Sequence, residues 1–530
     1  MFARIQILTL ALLFCAFLPL SPGFNWAPHA DATAYANELL SAEVTKLANG
    51  VEVIPMTTFL QGTEAGSLFI ITRKCTRDLW DIVMNLTRTL RKHVLVTGSS
   101  GVGKSRSMAY LLRNLLLNGK TVVYESAEEE KFFLFKPTGD KEGGGYEVMS
   151  VSSGVTSAGQ IVELEDPDNF YLVDPSKTSG EPVFVPAHTI LASSPNSNHY
   201  KGFVQRDGTT TLYMPLWKIE ELETVRHILD SSVTVTKDDL LEMFQDLGGR
   251  PRSIFNKEIR GRDLNKIPSS VTSMDPDLVT RIVVEGYFGD LDESESRKFN
   301  IPSSNICGYD STYPFDLKSR KIVFVSELVE KELANAHARY LLDVYDKLSS
   351  HWKGLVFESI ALGMIAGGKD LKCTHWEYKG KDKNYKVTSE ITKRFTPMIL
   401  RTKHSLMGHL KEDGVLNKSF KTNEALIDGS SAEGTFQMTI KEDHPNSRLG
   451  AMNVTESWNA TDINKMPLYY CVPDDMYFYW SRKKKPPPFR EPVPLEWGGD
   501  DVMYTKIDFF VLEIPMKPDV VSKFLSRNNN

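Results

Sequence analysis

Residues 94–112 read "VLVTGSSGVGKSRSMAYLL", and this stretch decides the fold of the first half of the chain. Val94 to Thr97 are apolar or β-branched and suit a buried strand. Gly98-Ser99-Ser100-Gly101-Val102-Gly103-Lys104-Ser105 then keep the spacing GxxxxGK[ST]. In such a loop the glycines let backbone N–H groups turn inward around phosphate oxygens. Lys104 reaches the β- and γ-phosphates, and the Ser105 hydroxyl ligates Mg²⁺. A helical pattern follows at once, "SRSMAYLLRNLLLNG", ending at Gly119, and adds its positive N-terminal end. The cofactors expected are ATP and Mg²⁺.

The motif sits in an alternating α/β pattern. "TVVYE" (121–125), "NFYLVDP" (169–175) and "HTILASSPN" (188–196) read as further strands. Magnesium needs a second acid, and two candidates end apolar runs: Asp174 in "FYLVD" and Glu125 in "VVYE". Asp174 is preferred, because in ATPases with an inserted strand the acid lies on a later strand. Pro175 occupies the next position, where a water-activating Glu often stands. Asn196 closes the following strand as a candidate γ-phosphate sensor, and "LGGRPRSI" (247–254) brings Arg252 towards the phosphates.

The 530 residues, 41% hydrophobic with a net charge of −6, describe a globular protein of several domains and give no global reason to bind polyanions. Residues 1–23 have the form of a secretory signal peptide, with Arg4 before an apolar run from Ile5 to Leu20, and cleavage as late as 32 is compatible with "ADA". That run is about 16 residues, short of the roughly 20 that span a bilayer, so no stable membrane association is expected after cleavage. Cys75, Cys307, Cys373 and Cys471 are far apart and form no CxxC pair, which suits a reducing compartment. Sequons occur at Asn85, Asn417, Asn453 and Asn459. The expected organisation is a lead-in over 24–65, a P-loop ATPase domain over 66–275, a helical connector over 276–345, a second α/β domain over 346–520 and a tail over 521–530.

Taken in order, "VTGSSGVGKS", "YLVDP", "SSPN", "MPLWKIEEL" and "LGGRPR", then "GLVFE", "FQMTIKEDHP", "LYYCVPDD" and "FFVLEI", resemble the Crinkler effectors of oomycetes and chytrids. They also resemble the related retrotransposon hot spot proteins of trypanosomes. The resemblance spans roughly residues 70 to 515. It implies an AAA/STAND-like P-loop ATPase followed by a restriction-endonuclease-like α/β domain that acts on nucleic acid in a nucleus. The ubiquitin-like header usual in Crinklers is not recognisable in residues 24–65; a signal peptide stands in its place.

On that resemblance, Glu358 in the apolar helix "GLVFESIAL", Asp428 after "ALI", Gln437 in "FQMTIK" and Lys441 approximate an acid–acid–Gln/Glu–Lys nuclease set, with Glu358 and Asp428 on Mg²⁺. Gln437 stands where many such nucleases have Glu, and Thr439 where Lys is commonest. His444 before Pro445 reads as a turn residue. Arg482, Lys483, Lys484 and Lys485, flanked by prolines, suit a DNA backbone or a nuclear import receptor. The expectation is a secreted effector that reaches a host nucleus and couples ATP to cleavage of host DNA or RNA, compatible with an oligomer. The alternatives are a catalytically inactive DNA-binding or signalling module switched by ATP, and an ATPase resident in the secretory pathway.

Overall fold

The structure, a computed structural model, describes residues 26–525 except 58–68, 91–92, 127–128, 140–144, 155, 176–180, 195–199, 207, 230–234, 286–306, 310–321, 380–383, 388–389, 404–405, 407–409, 420–426, 441–453, 461–463 and 482–506. The expected signal peptide, Asn196, Lys441, His444 and Arg482 to Lys485 therefore lie outside the described residues. The chain divides into two compact units. One is Met1–Leu241 with Gly249–Lys257 and Gly308–Arg320; the other is Glu242–Gly248 with Glu258–Cys307 and Lys321–Asn530. The helices Lys257–Thr272 and Pro276–Glu285 thus go with the second unit, whereas their sequence reads as the end of the first domain and the start of a connector.

In the first unit, β1 (Val94–Thr97) runs into α1 (Lys104–Leu117), followed by β2 (Val122–Ser126), β3 (Lys131–Pro137), β4 (Tyr146–Ser152), β5 (Phe170–Asp174), β6 (His188–Ser193) and β7 (Thr210–Tyr213). The sheet order is Ala27–Pro28, β4, β3, β2, β5, β6, β1, β7. From β2 to β7 all neighbours are parallel, and β3 and β4 form an antiparallel extension. Strand β6 is inserted between the P-loop strand β1 and β5, so the acid-bearing strand is the second neighbour of the phosphate loop. Parallel strands covered on both faces read as continuous apolar runs, which is why β1 and β5 were legible. One face buries Leu95, Val123, Phe132, Tyr171, Val173 and Leu191 in a single cluster.

Residues expected to be a lead-in are built into this unit. Ala27–Pro28 pair with Ser150 and Met149 at the edge of β4, and the helix Ala30–Ser41 packs against β4 and α1. Arg113 Nε donates to Leu39 O at 2.8 Å and its Nη2 to Ala42 O at 3.2 Å. Cleavage after Ala32, which is buried, would remove the edge strand and the first helical turn.

The second unit contains α3 (Glu327–Asp343), α4 (Ser350–Ala366), β8 (Asp370–Lys379), β9 (Ile399–Lys403), β10 (Val415–Ser419), β11 (Gly429–Ser431), β12 (Gly434–Met438), β13 (Met466–Pro473), α5 (Asp474–Ser481) and β14 (Ile507–Ile514). The sheet order from β8 is β14, β13, β12, β11, β10, β9. Strands β10, β11 and β12 are an antiparallel meander, and β13 is parallel to both β12 and β14. "MYFYW", which alternates like a strand, is instead helical in α5. Pro473 ends the preceding strand, two acids occupy the first turn, and Tyr477 and Trp480, three apart, share the buried face.

Asn417 is fully buried and its Nδ2 donates to Glu412 Oε2 at 2.9 Å, so its sequon offers no site for a glycan in the folded protein. Cys75, Cys373 and Cys471 are unbridged. Among the described residues no helix is long and apolar enough to cross a membrane.

Candidate functional site

The phosphate loop joins β1 to α1 through backbone that only glycine adopts easily. Gly101 has φ +83° and Gly103, the N-cap of α1, φ +98°. Gly98 is constrained by space instead: a Cβ there would lie 2.6 Å from Met214 O. Gly98→Ala must therefore push the Met214 segment off the loop, and it is expected to weaken nucleotide binding about 10-fold, read by calorimetric titration. Ser99, Val102 and Lys104 are buried.

Lys104 Nζ donates to Gly98 O at 2.7 Å and to Ser99 O at 2.9 Å. Burial pushes its pKa down to about 7, Arg252 pushes the same way, and Asp174 opposes. A buried ammonium held by two loop carbonyls is stored close to where phosphate oxygens would replace them.

Ser105 Oγ donates to Asp174 Oδ1 at 2.9 Å. The two residues are 69 apart in sequence, and the strand order brings them together. Hydroxyl and carboxylate are hard oxygen donors that fit Mg²⁺, and the loop amides fit the phosphates that would carry it in. Glu125 takes a different direction. It pairs in register with Val173, one position before Asp174, so alternation sends it to the opposite face of the sheet. There its Oε2 accepts from Tyr171 Oη, and burial raises its pKa. It lines a cavity of about 130 Å³ with Tyr171, Thr156 and Glu181.

Arg252 is the second residue of the short helix α2 (Pro251–Phe255), is exposed, and places its main-chain N 3.5 Å from Gly101 O. Arg250, two residues earlier, is fully buried. Ser193 and Ser194 end β6 beside β1, and Asn196 lies outside the described residues.

Sequence reading missed a brace around the loop. Trp217 Nε1 donates to Val102 O at 2.9 Å, and Trp217 N to Gly249 O at 2.9 Å. The Arg73 guanidinium stacks 4.8 Å from the Trp217 ring centre and donates to Pro215 O and Leu216 O, both at 2.8 Å. "MPLWKIEEL" announces an unusual turn, but nothing in it says which carbonyl the indole meets.

A model described as the helicase HerA central domain matches residues 66–124, from before β1 to β2. With the loop, the Ser105–Asp174 contact and the inserted β6, the fold is settled. The first unit is a P-loop NTPase. Over 168 residues the chain is 29% identical to Crinkler effector proteins 15 and 16 of Phytophthora infestans, covering 31% of this chain and 25% and 24% of theirs. The matched segment therefore spans about a quarter of those relatives. The RuvB Holliday junction branch migration motor of Thermotoga maritima aligns over 43% of this chain and 81% of its own, at 12% identity and a TM-score of 0.22.

In the second unit, Asp428 immediately precedes β11 and Gln437 lies on β12. Asp428 Oδ2 accepts from Gln437 Nε2 at 2.7 Å and from Met438 N at 2.6 Å. Glu358 lies on α4, one turn before Leu362, whose Cδ2 would be 2.8 Å from a Cβ on Gly429. Its charge acts on Lys418 of β10. Lys418 is 2% exposed, donates to Asn335 Oδ1 at 3.0 Å, and has its pKa lowered, chiefly by burial. Among the described residues no three His, Cys, Asp or Glu side chains gather as a metal would need. One carboxylate and one amide are an incomplete donor set, and a divalent ion here would have to draw its other oxygens from water and substrate phosphate.

Proposed function

We propose that the chain is a Crinkler-like effector whose P-loop unit binds and hydrolyses ATP with Mg²⁺, and whose second unit is a restriction-endonuclease-like domain acting on host nucleic acid. The observation that carries the ATPase part is the 2.9 Å contact of Ser105 with Asp174. In this reading the loop amides and Lys104 hold the β- and γ-phosphates, and Ser105 and Asp174 hold the ion. Arg252 faces the far phosphate. Magnesium, when bound, would offset phosphate charge during transfer to water. The partial identity to two Crinkler effectors supports the family assignment. The second unit's α4, three antiparallel strands and a fourth parallel one support the nuclease-like fold.

Delivery by secretion and entry into a host nucleus through Arg482 to Lys485 belong to the same proposal, as does pairing with an import receptor. A specific observation also favours a second reading, a nucleic-acid-binding unit that does not cut. The amide of Gln437 already satisfies Asp428, and Thr439 stands where a lysine would help catalysis.

The test is steady-state hydrolysis by the full chain. Asp174→Ala should keep nucleotide affinity within about threefold and reduce Mg²⁺-dependent turnover about 100-fold. Glu125→Gln, on the other face, should leave turnover near wild type. The reverse pattern moves the ion to Glu125 and overturns the assignment.

A further inference from the structure

We infer that Trp217 is a positioning residue for nucleotide, holding the crest of the phosphate loop in its binding shape from behind. The inference rests on nucleotide binding at this loop and concerns residues outside the motif.

The loop's function depends on peptide orientation. For its N–H groups to face inward around phosphate, its carbonyls must face outward, where they need donors of their own. Val102 is buried at the crest, so water does not supply that donor. The Trp217 indole does, at 2.9 Å, from a ring that is itself 6% exposed. An indole N–H only donates, so it cannot turn to accept instead.

The ring is fixed on two further sides. Arg73, 1% exposed, stacks 4.8 Å from its centre and also grips the two carbonyls before it, at Pro215 and Leu216. Glu221 Oε2 lies 3.3 Å from Arg73 Nη1 and accepts from Lys218 N at 2.8 Å, closing the turn that carries the tryptophan. On the main-chain side, Trp217 N donates to Gly249 O, three residues before Arg252. Gly249 has no room for a side chain, since a Cβ would lie 2.0 Å from Trp217 O.

One residue therefore bonds both the crest of the loop and the segment carrying Arg252, whose main chain meets Gly101. A ring that only filled space would need neither the N–H nor the stacked guanidinium. The Val102 carbonyl belongs to the loop that would meet the phosphates, so charge arriving there changes the field at the indole that bonds it.

The experiment uses the full chain labelled with 5-fluorotryptophan, the Trp217→Phe variant identifying the resonance. The probe is Mg–ADP. Trp217→Phe keeps an aromatic ring under Arg73, removes the donor and makes the buried ring smaller. It should fold, weaken Mg–ADP binding about 10-fold and change kcat less than KM. In the unsubstituted protein the Trp217 resonance should shift on saturation. If the wild type binds Mg–ADP and a folded Trp217→Phe binds it equally well, the inference falls while the nucleotide reading stands. If the variant does not fold, the resonance decides: a shift supports the inference, and none overturns it. Failure of the wild type to bind Mg–ADP or Mg–ATP overturns both.

Discussion

Lys104→Met is expected to weaken ATP binding about 100-fold and to bring hydrolysis below detection, with the fold intact. The lysine is the cation built into the loop, and its two present partners are neutral carbonyls of Gly98 and Ser99. Charge-assisted bonds to phosphate contribute about 1.5–3 kcal/mol each, and Lys104 can make two, so a loss near 100-fold is at the low end. Met keeps the length of the stem and leaves no charge in a site that is nine-tenths buried. Burial of the ammonium is costly without nucleotide, as its pKa near 7 indicates. Removing it should leave the melting temperature of the nucleotide-free protein unchanged or raised. The stabilisation that saturating Mg–ATP gives the wild type should disappear. Titration calorimetry and thermal melts read both effects. Binding within threefold of wild type would mean that Arg252, or the loop amides alone, hold the phosphates.

The sequence showed the P-loop unit because its chemistry is local. Eight consecutive residues set the loop, and the strands flanking it are apolar throughout, the mark of parallel strands buried on both faces. The preference for Asp174 over Glu125 rested on strand order, and the structure sets Ser105 Oγ against Asp174 with Glu125 on the other face.

What stayed hidden is non-local. Trp217 lies 115 residues from the carbonyl it bonds, and Arg73 lies 142 from Pro215. Ala27–Pro28 form a two-residue edge strand, too short for any periodicity. In the second unit, Asn417 and Lys418 are adjacent and both buried, where strand alternation would turn one of them outward. No pattern in "VLNKS" distinguishes a buried lysine from a solvated one. The approximate set of Glu358, Asp428 and Gln437 came from a resemblance, and the structure hydrogen-bonds its last two members. The effect of Glu358 on Lys418 is a pairing of helix and strand that spacing along the chain does not encode.

On the nuclease reading proposed above, Asp428→Asn should abolish cleavage of DNA by the full chain in Mg²⁺ or Mn²⁺ while preserving DNA binding. Asparagine is the informative change, because its side-chain oxygen can still accept from Met438 N, as Asp428 Oδ2 does at 2.6 Å. Alanine would leave that buried N–H without an acceptor, at a cost of about 1–3 kcal/mol, and the Gln437 amide with only its longer bond to Met438 O at 3.3 Å, and would confuse misfolding with lost chemistry. With Asn the fold persists and only the negative charge goes. Asp428 would be the residue holding a divalent ion, whose chemistry would be to make water nucleophilic, and on that reading the fall in rate should be at least about 100-fold. Contacts to the DNA backbone come from lysine and arginine, and gel-shift affinity should change by less than about threefold. Gln437→Glu probes the same pair in the opposite direction. It replaces the donating amide by a second carboxylate beside Asp428, and the two then repel unless a cation lies between them. That variant should lose stability in EDTA and regain it with Mn²⁺, a readout independent of cutting. If wild type and Gln437→Glu both shift DNA yet neither cuts it with either metal, the second unit is a binding module. The Asp428–Gln437 bond is then a structural link within its sheet.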